Sequence, residues 1–165
     1  MESITKHLAA IAPLCLAIAL ACPVTGCQNS AARSPSVNSS FMDKYWVMTA
    51  FTAAPGIDWD LDGATETDIL AKLEPCEKDD AIMFRKDNQV LRHHGANRCD
   101  EDEEETEEAG TWQYAPATRQ LTRNSEGSRP VVYTVVEATG GKLVLQQNVE
   151  GKNKRHVLTA TFKAK

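Results

Sequence analysis

Most of what usually announces an enzyme is missing from this chain. It holds four histidines and no G-x-S-x-G, H-E-x-x-H or phosphate-cradling glycine loop. The common nucleophilic, zinc-hydrolase and nucleotide-binding arrangements therefore have nothing to build on. His93 and His94 are adjacent, so on a strand they would point to opposite faces and could not easily share a metal. His156 stands alone, and catalysis is not expected. Basic residues are outnumbered, 18 Lys and Arg against 23 Asp and Glu, leaving a net charge of −5 and a pI near 5.4. That balance argues against a nucleic-acid surface. No internal repeat is visible, and the 165 residues suit one folded domain. No run is long enough to span a bilayer either. The most apolar stretch, 8–22, is an uncharged, Ala/Leu/Ile-rich run of fifteen residues broken by Pro13, against the roughly 20 apolar residues a membrane helix needs.

That stretch has another use. Preceded by Lys6 and followed by Val24-Thr25-Gly26-Cys27, it has the layout of an export signal. The last four residues look like a lipobox, in which the cysteine becomes the acylated N-terminus. Residues 1–26 are expected to be a lipoprotein signal, with Cys27 lipidated; cleavage by ordinary signal peptidase is the rival. Residues 28–40 are polar and rich in Ser, Ala and Asn. They cannot bury a core and read as a flexible tether reaching roughly 20 Å as a coil. The domain proper is expected over 41–165. Anchored by lipid, it would sit in a bacterial cell envelope, at the periplasmic or surface face of the outer membrane.

Cysteine count agrees with export. Two of the five cysteines, Cys15 and Cys22, leave with the signal and Cys27 takes the lipid, which leaves Cys76 and Cys99. An even pair in an oxidising compartment predicts a disulfide. A thiolate zinc site would need four ligands and a C-x-x-C spacing that the chain lacks.

The remainder is strand after strand. Residues 41–54 carry apolar groups on both faces, with Trp46, Met48 and Ala50 on one of them. Residues 80–86 and 89–94 flank Asp87-Asn88, which suits a two-residue hairpin turn. Further strands are expected at 110–115, 120–123, 130–138, 142–149 and 155–163. The strongest is PVVYTVVEA, almost wholly β-branched or aromatic. Eight short strands joined by tight turns predict an all-β fold, an antiparallel up-and-down barrel that leaves no open edge. Val132, Val135, Leu143, Leu145, Leu158 and Ala160 are its candidate inward residues. Residues 100–108 hold eight acids in nine positions and read as a mobile, solvated loop tip, or else as a site for a cation or a basic partner.

Between the first two strands lies PGIDWDLDGATETDILAKLEPCEKDD. Asp58, Asp60 and Asp62, closed by Gly63, follow the first half of a calcium-binding loop, with Asp68 near its end. The twelfth position is Ile69 rather than glutamate. The alternative to calcium is a solvated turn leading into the short helical patch of Ile69, Leu70 and Leu73.

The motifs now on the page carry a resemblance. Lys44-Tyr45-Trp46, Asp58 to Gly63, Asp68, Pro75-Cys76-Glu77-Lys78-Asp79-Asp80, Phe84, Cys99, Gly110-Thr111-Trp112 and the terminal TATF of 159–162 resemble the bacterial lipocalin-like domain family of exported Bacteroidota lipoproteins. Lys44 departs from the Gly-x-Trp with which lipocalins usually open. The resemblance implies an eight-stranded barrel with a short helix near its start. Two functions follow: a monomeric carrier for a small hydrophobic ligand, or a filled, calcium-stiffened barrel serving as a structural or interaction module. About 300 Å³ of apolar cavity would favour the carrier.

Overall fold

The structure, a computed structural model, describes residues 39–151 and 154–165. The signal 1–26, Cys27 and nearly all of the tether lie outside the described residues. Among the described residues there are nine strands: β1 (Tyr45–Ile57), β2 (Glu66–Asp68), β3 (Ala81–Phe84), β4 (Gln89–His93), β5 (Thr106–Ala115), β6 (Gln120–Asn124), β7 (Val131–Ala138), β8 (Lys142–Glu150) and β9 (Arg155–Ala164). Leaving out β2, each pairs antiparallel with the next, and β9 returns to pair with β1 from Trp46↔Ala164 to Ala54↔Val157. The result is the expected closed, eight-stranded up-and-down barrel. The addition is β2, which takes up the edge that β1 presents beyond its pairing with β3 over Tyr45–Val47.

β9 shows why these residues make strands. His156, Leu158, Ala160 and Phe162 are buried in strict alternation with more exposed neighbours, the period of a pleated strand with one face inward. β1 departs from that rule. A register shift between Met48 and Ala50 inserts one residue against β9, and such a bulge moves the following side chains to the other face. Trp46 and Met48 therefore point inward below it and Phe51 and Ala53 above it, so Ala50 does not share a face with Trp46. This explains an apolar pattern that seemed two-sided. Val132 also departs from expectation. It lies on the outer face of β7, 46% exposed, while Val135 is fully buried.

Three other boundaries moved. Phe41 is not in a strand but in a 310 turn, Ser39–Phe41, and caps one end of the barrel. The β3–β4 turn is longer than two residues. Asn88 N–H donates to the Arg85 carbonyl at 3.0 Å, Arg85 N–H donates to Gln89, and only Asn88 has positive φ. This is a type I turn followed by a left-handed residue. Finally, the acidic run is loop only as far as Glu105, because Thr106, Glu107 and Glu108 pair with His93, Arg92 and Leu91. Arg92 on β4 opposes Glu107, so repulsion among the acids does not exclude this part of the run from the sheet.

The capped end is solid. Phe41 packs edge-on against Phe84, Trp112 and Tyr114, with centroids 5.9, 5.6 and 5.5 Å apart. Each such pair adds about 1 kcal/mol to simple burial. The two buried indoles are satisfied: Trp46 Nε1 donates to the Phe41 carbonyl at 2.8 Å and Trp112 Nε1 to Arg85 at 2.9 Å. Lys44 reaches over the Trp46 ring, 6.0 Å from its centroid, and donates to the Gly140 carbonyl at 2.9 Å. Where a lipocalin would have glycine, a lysine here links the start of β1 to the β7–β8 turn.

Candidate ligand cavity

Above the aromatic floor the side chains shorten and the interior opens. A cavity of about 310 Å³ lies between Trp46 and Phe84 below and the segment around Leu73 and Glu77 at its mouth. Met48, Phe51, Leu145, Leu158, Ala160 and Phe162 form its apolar wall. These come from β1, β8 and β9, the strands with the longest mutual pairing. Of the inward residues expected from sequence, Leu145, Leu158 and Ala160 line the cavity, whereas Val135 and Leu143 pack in the filled half. Methionine and medium aliphatics leave the space that larger rings would have closed.

The mouth is built from PCEKDD. A single helical turn, α1 (Pro75–Lys78), starts with proline, where a missing N–H costs nothing. The Glu77 carboxylate accepts from Glu74 N–H at 2.9 Å. Cys76 is disulfide-bonded to Cys99, with Cα atoms 5.2 Å apart, the pairing expected from sequence. Asp79 accepts from Ala96 and Asn97 N–H at 2.7 and 3.1 Å, and Asp80 from Gly95 N–H at 3.3 Å. A side chain at Gly95 would strike the Asp79 carboxylate, 2.2 Å from its Cβ position. Cys76, Asp79 and Asp80 thus fasten the helical turn to the loop over 95–99 and to β4.

Four charged groups line the cavity: Glu77, Asp80, Arg92 and Arg123. Arg92 holds Asp80 through Nη2 at 2.6 Å and Nε at 2.8 Å. Behind that pair, buried His94 lies 3.4 Å from Glu103 and 3.8 Å from Asp80 through Nδ1, and 3.5 Å from Glu107 through Nε2. His93 is directed elsewhere, edge-on to Tyr45 and 3.5 Å from Glu105. His156 is buried at the open rim, its Nδ1 2.9 Å from the Pro55 carbonyl. The three histidines do not come together.

A family model described as a lipocalin-like domain matches residues 42–145. The chain belongs to the lipocalin-like domain family. The match runs from the start of β1 into β8, so β9, which supplies Leu158, Ala160 and Phe162 to the cavity, lies beyond it. No curated protein matches this lipocalin-like chain.

The acidic loop of this lipocalin-like domain differs from its sequence reading. Asp58, Asp60 and Glu66 bring carboxylate oxygens within 4.8 Å of one another; Glu66, not Asp68, completes the group. Asp62 accepts from Ala64 N–H at 2.7 Å, and Asp68 accepts from Ala71 N–H at 3.3 Å at the 310 turn Leu70–Lys72. The expected set of Asp58, Asp60, Asp62 and Asp68 is therefore not assembled around one point. A cation of the chain's own is present instead. The Lys72 ammonium lies 2.9 Å from Asp60, 3.4 Å from Glu66 and 3.7 Å from Asp62. Its hydrogen bond to Asp60 raises the lysine pKa and lowers that of the aspartate.

Proposed function

We propose that this protein is a monomeric, non-enzymatic envelope lipoprotein whose barrel carries a small hydrophobic ligand. The observation that supports the carrier over a filled scaffold is the cavity of about 310 Å³ with its predominantly apolar wall. It lies at the lower end of the range typical of small-molecule sites, roughly 300–1,000 Å³. Binding would be driven by removing ligand and wall from water, at about 25 cal/mol per Å² of apolar surface. The solid half supplies rigidity, so the open half need not collapse. Supporting the envelope part is the sequence alone: an uncharged run ending at Val24-Thr25-Gly26-Cys27, followed by a polar tether.

Two measurements test the two parts. Purified protein titrated with an environment-sensitive apolar dye should show saturable binding, and Ala160→Trp, which fills the cavity from β9, should remove it without unfolding the barrel. A wild-type protein that never takes up dye or competing lipid would favour the scaffold. For the anchor, Cys27→Ala should release the protein from the membrane fraction; a variant that still sediments with membranes refutes lipidation at that cysteine.

A further inference from the structure

Among the charged groups of the cavity, Arg123 is the exception. Glu77 is engaged by the Glu74 backbone, and Asp80 and Arg92 neutralise each other. Arg123 has no carboxylate within ion-pair distance among the described residues. Its one hydrogen bond runs from Nη2 to the Ala109 carbonyl at 3.2 Å, and its Nε–H is buried without a partner. A guanidinium has five donors and keeps its charge at any physiological pH. Arg123 is half-buried, and leaving its inaccessible Nε–H unpaired carries a cost that a planar anion accepting two parallel hydrogen bonds relieves.

The fold holds this side chain deliberately inward. Gly110, at φ +102°, forms a bulge between β4 and β5, and a Cβ there would lie 2.0 Å from the Asn124 carbonyl oxygen. At this bulge the Ala109 carbonyl accepts from Arg123 Nη2 at 3.2 Å and from Ser125 Oγ at 3.5 Å. Arg123 pairs with Val131 across the β6–β7 ladder, so Tyr133, two residues along, is its diagonal neighbour on the cavity face. The apolar wall of Phe51, Leu145 and Leu158 lines the same space. A positive head site and an apolar wall therefore share one cavity.

We infer that the ligand is an amphiphile with a single carboxylate head, which pairs with Arg123 inside the barrel while its hydrocarbon tail lies along β1, β8 and β9. This rests on the carrier reading above and adds the chemistry of the head group. A neutral lipid would fill the same wall but leave the guanidinium unpaired and further desolvated.

Dodecanoic acid and dodecanol share a tail and differ at the head. Competition of each against an apolar dye on the full-length protein at neutral pH tests the inference. The acid should bind about tenfold more tightly than the alcohol, the value of one buried charge-assisted hydrogen-bonded pair. Arg123→Met should bring the ratio to about one, and Arg123→Lys should restore part of it. Circular dichroism checks that the variants fold, and the wild-type ratio needs no variant at all. Equal binding of acid and alcohol by wild type overturns the inference but leaves the carrier intact. So does an unchanged ratio in a folded Arg123→Met protein. Dye, acid and alcohol all failing to bind would overturn the carrier reading itself.

Discussion

Cys76 and Cys99 join the one-turn helix at the cavity mouth to the loop that leads into β5. The bond closes a sequence separation of 23 residues, and the chain-entropy model assigns such a loop about 3 kcal/mol. The double variant Cys76→Ala, Cys99→Ala should lose about that much in urea unfolding, and dye should exchange faster as α1 loosens. Unchanged stability would mean that the Asp79 and Asp80 hydrogen bonds hold the mouth without the disulfide.

Lys72 should matter through charge. Asp60 has a depressed folded pKa, so its contribution is present above the ordinary carboxylate range of about 4 and is lost as pH falls through the lower folded value. Lys72→Met should therefore lower the melting temperature at neutral pH and low salt, the difference shrinking in salt and vanishing in acid. A difference that persists in acid would show that the lysine acts by packing alone. If calcium instead raises the wild-type melting temperature, an ion displaces the ammonium beside Asp58, Asp60 and Glu66.

Gly110 and Gly63 both have positive φ, but only Gly110 faces a neighbouring carbonyl within contact. Gly63→Ala should cost about 1 kcal/mol from backbone strain alone. Gly110→Ala adds a clash with Asn124 and should cost about 3 kcal/mol or more. Equal costs, measured by chemical denaturation, would show that the β5–β6 approach relaxes freely.

Tyr133 and Tyr114 should titrate late, because burial raises both phenols. Groups with raised folded pKa stabilise below their unfolded value of about 10, and this is lost as pH rises through the folded value. Phenolate absorbance against pH should show a delayed component that Tyr133→Phe reduces. Complete titration at the ordinary tyrosine pKa in folded protein would contradict the burial.

The histidines and the acidic run show how far linear reasoning carried. Adjacent His93 and His94 were expected to separate, and they do. Nothing in the run 100–108 indicated that Glu107 would lie opposite Arg92 or that Glu103 would reach buried His94. Those pairings depend on strand register across β4 and β5. Arg123 was missed for the same reason: in sequence it is one arginine at the end of a weak strand, and only the register of β6 against β7 places it beside Tyr133 in the cavity.

Local patterns alone determined much of this protein. Alternation along 155–163, the β-branched run 130–138 and the closely spaced turns dictated an antiparallel barrel, because period and turn chemistry are properties of a few neighbouring residues. The cysteine count pointed to the disulfide before any geometry was known. What only tertiary structure decided is which way the side chains face and what meets them. One inserted residue in β1 exchanged its two faces, Lys72 entered a carboxylate cluster twelve residues before it, and the interior was left half filled. Each depends on distances between residues far apart in the chain, which composition and spacing do not contain.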